Sequence, residues 1–220
     1  MIWLTSDMHF GHEKDFLWQP RGFSSWEDHA ICVIDNYNAR VKPDDIVYIL
    51  GDCMLKNDDF GIECLKQLNG HKYLAIGNHD TDSRIAKYRE AEIFDDIQYG
   101  YRLRIDKYSL WLQHYPAIMG NYKDKHPTFC FCGHTHSPDK FQNIENGCYN
   151  VALDAHHCFP VSLDIALIDI RDYRREHPFV EYPDKSPYCV SCTRQGICDA
   201  KSNHELDCPG YMSEKGENFE

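Results

Sequence analysis

The sequence predicts an α/β fold of two packed, mixed β-sheets with helices outside them, followed by a short cysteine-rich C-terminal tail. Three observations carry that prediction. In the first part of the chain, short apolar runs rich in β-formers alternate with segments of helical period. From about residue 100 the runs are mostly strand-like, with short links. From Glu176 onward the chain turns polar and acidic and is punctuated by Pro178, Pro183 and Pro187. Alternation followed by a mostly β half suits two sheets with helices outside. A boundary near residue 180 is expected, separating a domain of residues 1–180 from a tail of residues 181–220.

The elements follow in order. MIWLTS (1–6) reads as a buried strand. Ser24 and Glu27 form a capping-box pair, so a helix is expected from about Ser24, with Trp26, Ile31, Ile34, Tyr37 and Val41 on its apolar stripe. IVYIL (46–50) is a central strand ending at Gly51-Asp52. Residues 58–68 read as a helix whose core side is Phe60, Ile62, Leu65 and Leu68, and Asn69-Gly70 is a turn. KYLAI (72–76) is the next strand, and 83–91 looks helical. YRLRI (101–105), SLWLQH (109–114), TFCFC (128–132), CYNVALD (148–154) and SLDIALID (162–169) are read as strands.

Bulk composition narrows the function. The 220 residues suffice for a sizeable core. A net charge of -12 argues against non-specific binding to nucleic acid, which relies on neutralising phosphates. Any phosphate-bearing substrate therefore needs a local source of positive charge. The start, MIWLTSDMHF, lacks the basic and long apolar regions of a signal peptide, and no run approaches a membrane span, so a cytoplasmic location is expected. Seven of the 11 cysteines are scattered between Cys32 and Cys158 and read as reduced, buried fillers. The other four crowd into Cys189–Cys208.

Polar residues able to bind metal sit where predicted strands end: Asp7-Met8-His9, Gly51-Asp52, Gly77-Asn78-His79-Asp80, His114 and Gly133-His134-Thr135-His136. Ligands bind beyond the carboxyl ends of strands in open α/β sheets. In an extended segment residues i and i+2 share a side, so Asp7 can pair with His9 and His134 with His136. Each residue alone has a bland reading as a helix cap, turn residue or surface histidine. Five strand ends in succession do not. Carboxylate, imidazole and amide donors suit a borderline divalent ion. The candidates Asp7, His9, Asp52, Asn78, His114, His134 and His136 are too many for one tetrahedral ion, and they suit two ions about 3.5–4 Å apart that share a carboxylate. Asp52, after a buried strand, fits the shared position. Gly51, Gly77 and Gly133 would let backbone turn tightly beside the ions.

Asp-x-His, Gly-Asp, Gly-Asn-His-Asp, a lone His and Gly-His-x-His, in that order, resemble the calcineurin-like metallophosphoesterases. "SDMHFGH", "VKPDDIVYILGD", "LNGHKYLAIGNHD", "HYP" and "PVSLD" resemble a small bacterial and phage branch of uncharacterised phosphoesterases, over about residues 1–170. The resemblance implies an α/β/β/α sandwich. It also implies hydrolysis of a phosphomonoester or phosphodiester by a hydroxide bridging two divalent ions, with Mn²⁺ foremost among Mn²⁺, Fe²⁺, Zn²⁺, Ni²⁺ and Mg²⁺. Asp7, His9 and His136 would hold one ion, Asn78, His114 and His134 the other, and Asp52 would bridge. His79 would aid the leaving group, and Asp80 would accept a hydrogen bond from it, or cap the following helix, or both. The expected partner is a small phosphate ester, a nucleotide among the candidates.

Weaker expectations complete the reading. His12 and Arg21 are candidate substrate contacts, and His156 and His157 lie in a loop able to approach the site. Cys189, Cys192, Cys198 and Cys208, with His204 in reserve, are candidate ligands of a structural Zn²⁺ or an iron–sulfur cluster, against a tail of free thiols. Two other classes compete with the hydrolase: a catalytically silent scaffold of the same fold, and a nuclease gripping nucleic acid with its tail. The tail carries no Lys/Arg cluster, which weighs against the nuclease. The scaffold is disfavoured because no ligand of the motif set is missing.

Overall fold

The computed structural model describes residues 1–119, 127–141 and 147–176. Two mixed sheets with flanking helices form the fold. The first sheet contains β1 (Ile2–Thr5), β2 (Ile46–Ile49), β3 (His71–Ala75), β4 (Asp96–Gln98) and β9 (Val161–Ser162), in the order β4-β3-β2-β1-β9. All its pairings are parallel except β1 with β9. The second contains β5 (Tyr101–Ile105), β6 (Tyr108–Leu112), β7 (Thr128–Cys132) and β8 (Cys148–Asn150), in sequence order. Here β5 and β6 are antiparallel and the other pairings parallel.

Side-chain alternation divides the core. Val47 and Ile49 face α2 (Trp26–Arg40), α3 (Asp58–Lys66) and α4 (Asp82–Glu90), packing with Val33, Tyr37, Leu65, Ile85 and Tyr88. Tyr48 and Leu50 point the other way, into a cluster with Leu110, Leu112, Phe129 and Phe131 of the second sheet. That period of two puts the apolar bulk of β2 on both faces, as a central strand requires. Cys130, Cys132 and Cys148 fill the far face of the second sheet beneath Ala117 and Met119. The seven described cysteines are free, and six are buried, as fillers should be.

Five elements differ from the sequence reading. A short helix, α1 (Asp15–Trp18), lies where no element was expected, and CYNVALD is strand only over Cys148–Asn150, with a 3-10 turn at Leu153–His156 after it. Helix α2 is capped by Ser25, not Ser24: the Ser25 hydroxyl accepts the Asp28 N–H at 3.1 Å. The buried face is accordingly His29, Ala30, Val33 and Tyr37, and Ile31 is exposed. Ser25→Ala is expected to lower unfolding free energy by about 1 kcal/mol in urea denaturation. Strand β4 was not read at all, being three residues with two polar ones. The largest correction is SLDIALID, read as a strand. Only Val161–Ser162 is strand, and α5 (Leu163–Glu176) follows. The Ser162 hydroxyl accepts the Ile165 N–H at 3.2 Å, and Leu163, Ala166 and Ile170 are buried at helical spacing.

Residues Met1–Tyr173 form one compact unit, and of the residues that follow it 174–176 are described. The boundary expected near 180 and the Cys189, Cys192, Cys198, Cys208 and His204 candidates lie outside the described residues. Among the described residues no helix is long and apolar enough to cross a membrane.

Candidate metal centre

The loops after β1 and β2 run side by side, joined by Asp7 N–H to Gly51 O at 3.1 Å and His9 N–H to Asp52 O at 3.0 Å. The loop after β7 closes over them: Gly133 N–H bonds His114 O at 3.0 Å, and His134 N–H bonds Asp7 Oδ2 at 2.9 Å. Asp7, His9, Asp52, His134 and His136 all have left-handed backbone, with φ between 48° and 70°. Asp7 and His9 stand in one group with His136, while His134 lies against His114, and neither pair has the extended geometry assumed from sequence. Left-handed non-glycine residues are uncommon and cluster at functional sites. Glycine is required where the loops touch. A Cβ on Gly133 would overlap Ser6 Oγ and Asp7 Oδ2, and one on Gly51 would sit 2.5 Å from His114 Nδ1. Gly133→Ala is expected to destabilise the fold by about 1–3 kcal/mol and to displace Asp7, read as a lowered thermal midpoint with weakened metal uptake.

Around Asp7 the unprotonated acceptors converge. Its Oδ2 accepts from Ser6 and from the His134 amide. Its Oδ1 is buried without a hydrogen-bond partner and faces His9 Nε2 at 3.8 Å and His136 Nε2 at 3.7 Å. Those two nitrogens are 3.2 Å apart. Burial opposes ionisation of Asp7, yet the nearby His9 imidazole holds its carboxyl below the ordinary range. Burial keeps the His9 imidazole below its ordinary value and so neutral.

The second group centres on Asp52. Its Oδ1 accepts the His79 amide at 2.8 Å. Its Oδ2 stands 3.6 Å from His9 Nε2, 3.5 Å from His114 Nε2 and 4.0 Å from His79 Nε2. His114 Nδ1 donates to Leu50 O at 2.8 Å, which leaves Nε2 as the acceptor of the neutral ring. That Nε2 is 2.8 Å from Asn78 Oδ1. The His134 ring lies edge-on to His114, with centroids 5.0 Å apart. Among the described residues, Asp7–His9–His136 and Asp7–Asp52–His114 each bring donor atoms within 4.8 Å of one another. An orphaned buried carboxylate oxygen, facing imidazole lone pairs, is an arrangement that a cation relieves. The mixed N/O donor set fits divalent ions.

The remaining candidates divide. His79 projects beside this group with its side chain 40% exposed, Nε2 being near Asp52. Its carbonyl is held by Arg84 Nη1 at 2.7 Å. Asp80 does not bond the His79 ring, nor does it cap α4, whose N-cap is Thr81. The buried Asp80 carboxylate accepts the amides of Asp52 (2.8 Å), Gly77 (2.9 Å) and Cys53 (3.2 Å) and the Tyr88 hydroxyl (2.9 Å). Asp80 therefore fixes the Asp52 loop and is a positioning residue; burial raises its pKa. Arg21 is not a substrate contact either: every nitrogen of its 2%-exposed guanidinium is engaged within the protein. His12 lies beside the site but is buried, its Nδ1 3.3 Å from the Lys14 amide and its ring 6.2 Å from that of His9. The buried His156 ring bonds Asn150 O at 2.8 Å, and burial pushes it down to about 4; it serves the fold. His157, exposed and left-handed, caps the 3-10 turn Leu153–His156.

The sequence reading missed Asp154. It binds Arg21 through both oxygens and His136 Nδ1 at 3.1 Å. Burial opposes its ionisation, but His136 and Arg21 hold its carboxyl well below the usual range. A single aspartate in a loop carries no periodic signal that would have flagged it.

No protein-family model matches the chain. It is 29% identical over 171 residues to the uncharacterized protein MJ1445 of Methanocaldococcus jannaschii, covering 74% of this chain and 88% of that one. It is 28% identical over 165 residues to the Gene 66 protein of Mycobacterium phage L5, covering 62% and 77%. Among solved structures, the protein of unknown function AQ665 from Aquifex aeolicus aligns with TM-score 0.59 at 26% identity, covering 77% of this chain and 97% of that chain. A novel archaeal phosphodiesterase aligns with TM-score 0.40 at 19% identity, covering 68% and 81%. The ordered motifs, gathered at one end of a two-sheet α/β fold, resemble those of the calcineurin-like metallophosphoesterases, and the chain is similar in sequence to archaeal and phage proteins and in fold to the protein of unknown function AQ665.

Proposed function

We propose that this protein is a metal-dependent phosphoesterase that works with two divalent ions. Asp7, His9 and His136 would hold one, Asn78, His114 and His134 the other, and Asp52 would be shared. The observation that carries this reading is Asp52 Oδ2, set 3.6 Å from His9 Nε2 and 3.5 Å from His114 Nε2, between the two groups. Ions seated there supply a water of near-neutral pKa and positive charge for the phosphate oxygens. That charge would answer the net charge of -12, since with ions bound the local field at the site would be positive.

The chain's own groups do the rest. The Asp80 carboxylate holds the Asp52 and Gly77 amides in place. The Asp52–His79 backbone bond brings the His79 ring beside the ligands, where its proton is available to the departing oxygen. The substrate class is a phosphomonoester or phosphodiester. The test is hydrolysis by metal-stripped protein of a nitrophenyl phosphomonoester and the matching diester, with Mn²⁺, Zn²⁺ or Mg²⁺ returned. Turnover that appears only with metal is expected, and the ratio of the two rates assigns the substrate class. Bound metal with no turnover of either ester under any ion would favour the scaffold.

A further inference from the structure

The Arg21–Asp154 ion pair lies buried behind one of the metal-binding groups and is not itself in the ligand set. Asp154 Oδ1 accepts from Arg21 Nε at 2.9 Å and Oδ2 from Arg21 Nη2 at 2.7 Å, a fork-to-fork pairing. The same Oδ2 is 3.1 Å from His136 Nδ1. A carboxylate only accepts, so Nδ1 carries the proton, and the 3.4 Å approach of Arg21 Nη2 to Nδ1 is then donor beside donor, not a bond. In the neutral ring the lone pair of His136 is then on Nε2, the atom aimed at Asp7 Oδ1 and His9 Nε2.

Arg21 is itself anchored on two further elements. Nη2 donates to Asp7 O at 2.9 Å, and Nη1 donates to His29 Nε2 at 2.9 Å. His29 sits buried in α2, and burial together with Arg21 pushes it down to about 3, so it stays neutral and accepts. One guanidinium therefore ties together α2, the backbone of Asp7 and the carboxylate that orients His136.

We propose that Arg21 and Asp154 are positioning residues that set the tautomer and direction of His136 and so determine the affinity of one ion position, the one bounded by Asp7, His9 and His136, while leaving the Asn78–His114 side unaffected. This rests on the two-ion reading above. Metal-ligating histidines are fixed through their second nitrogen in this manner, and losing the support weakens binding about 10–100-fold. Arg21 adds a function that a lone aspartate lacks. It occupies both Asp154 oxygens, so the carboxylate cannot swing toward Nε2.

The test uses the full chain, stripped of metal and titrated with Mn²⁺ under equilibrium dialysis, with bound ion counted per chain by mass spectrometry. Asp154→Leu removes the acceptor. Because it leaves Arg21 buried without its partner, the paired change Arg21→Met with Asp154→Leu is made alongside, replacing the ion pair by apolar groups of similar volume. A second readout needs no metal: nitrogen chemical shifts of labelled histidine report which ring nitrogen of His136 is protonated. The expected result is two ions in the unaltered protein, and one of them 10–100-fold weaker in the paired variant, with the Nδ1–H form of His136 depleted and circular dichroism unchanged. Two ions of unaltered affinity in a folded paired variant, or an Nε2–H His136 in the unaltered protein, would overturn the proposal alone. No ion bound by the unaltered protein would overturn the two-ion reading, and the proposal with it.

Discussion

Asp52→Asn is expected to abolish the proposed hydrolysis and to weaken both proposed ions together, by more than the roughly 10–100-fold that follows loss of a merely supporting residue. The reason is geometric. Oδ2 of Asp52 is the only described carboxylate oxygen set within 4 Å of both His9 and His114. Each group would lose the same negative charge at once. The fold should not suffer. The asparagine oxygen can still accept the His79 amide that Asp52 Oδ1 accepts at 2.8 Å. Its amide nitrogen, in place of Oδ2, would face imidazole lone pairs that now face another acceptor. The metal-free variant is therefore expected to melt at or above the temperature of the metal-free parent while binding little Mn²⁺. Calorimetric metal titration and a thermal scan on the same two proteins decide it. A variant that keeps one tight ion would show that Asp52 belongs to a single group.

His79→Ala has an effect that depends on the ester. The ring stands beside the candidate ligands with Nε2 4.0 Å from Asp52 Oδ2 and its side chain 40% exposed. Proton transfer from such a group contributes about 10²–10⁴-fold. Loss of that size is expected for an alkyl ester, whose departing alkoxide needs a proton. For a nitrophenyl ester the leaving oxygen is stable unprotonated, and the loss should shrink. Metal content should be unchanged, since the His79 backbone, not its ring, engages Asp52. The measurement is kcat for both esters with parent and variant. Equal losses on the two, or loss of bound metal, would remove His79 from leaving-group duty.

Much of the candidate site was legible because the candidate ligands follow strands whose apolar runs are plain in the sequence. IVYIL before Gly51-Asp52 and KYLAI before Gly77-Asn78 leave little doubt about where the chain emerges. What stayed hidden has identifiable causes. SLDIALID alternates apolar and polar residues at both strand and helix periods, and only the Ser162 cap and the continuation to Glu176 favour the helix. Asp80 was assigned to its sequence neighbour His79, whereas three of its four donors are backbone amides, two of them from another loop, which no side-chain pattern reports. Arg21 and Asp154 meet across 133 positions of chain. Neither lies in a motif, and a charged residue in a loop is more often solvated than buried. The left-handed backbone at Asp7, His9, Asp52, His134 and His136 was equally unreadable, because it comes from the packing of one loop on the next.

That backbone has a consequence for the protein's life in a cell. Left-handed conformations cost L-residues roughly 1–2 kcal/mol each, and here they are held in a place where acceptors also face one another. Without cations the centre is a region of stored tension at the heart of the loops. With them it would become a crosslink between the ends of β1, β2, β3, β6 and β7. Ion binding to the folded chain alone adds about 1.4 kcal/mol for every tenfold excess over the dissociation constant. The protein's lifetime against unfolding and proteolysis would then follow metal supply, so that starvation for the ion lowers abundance as well as activity.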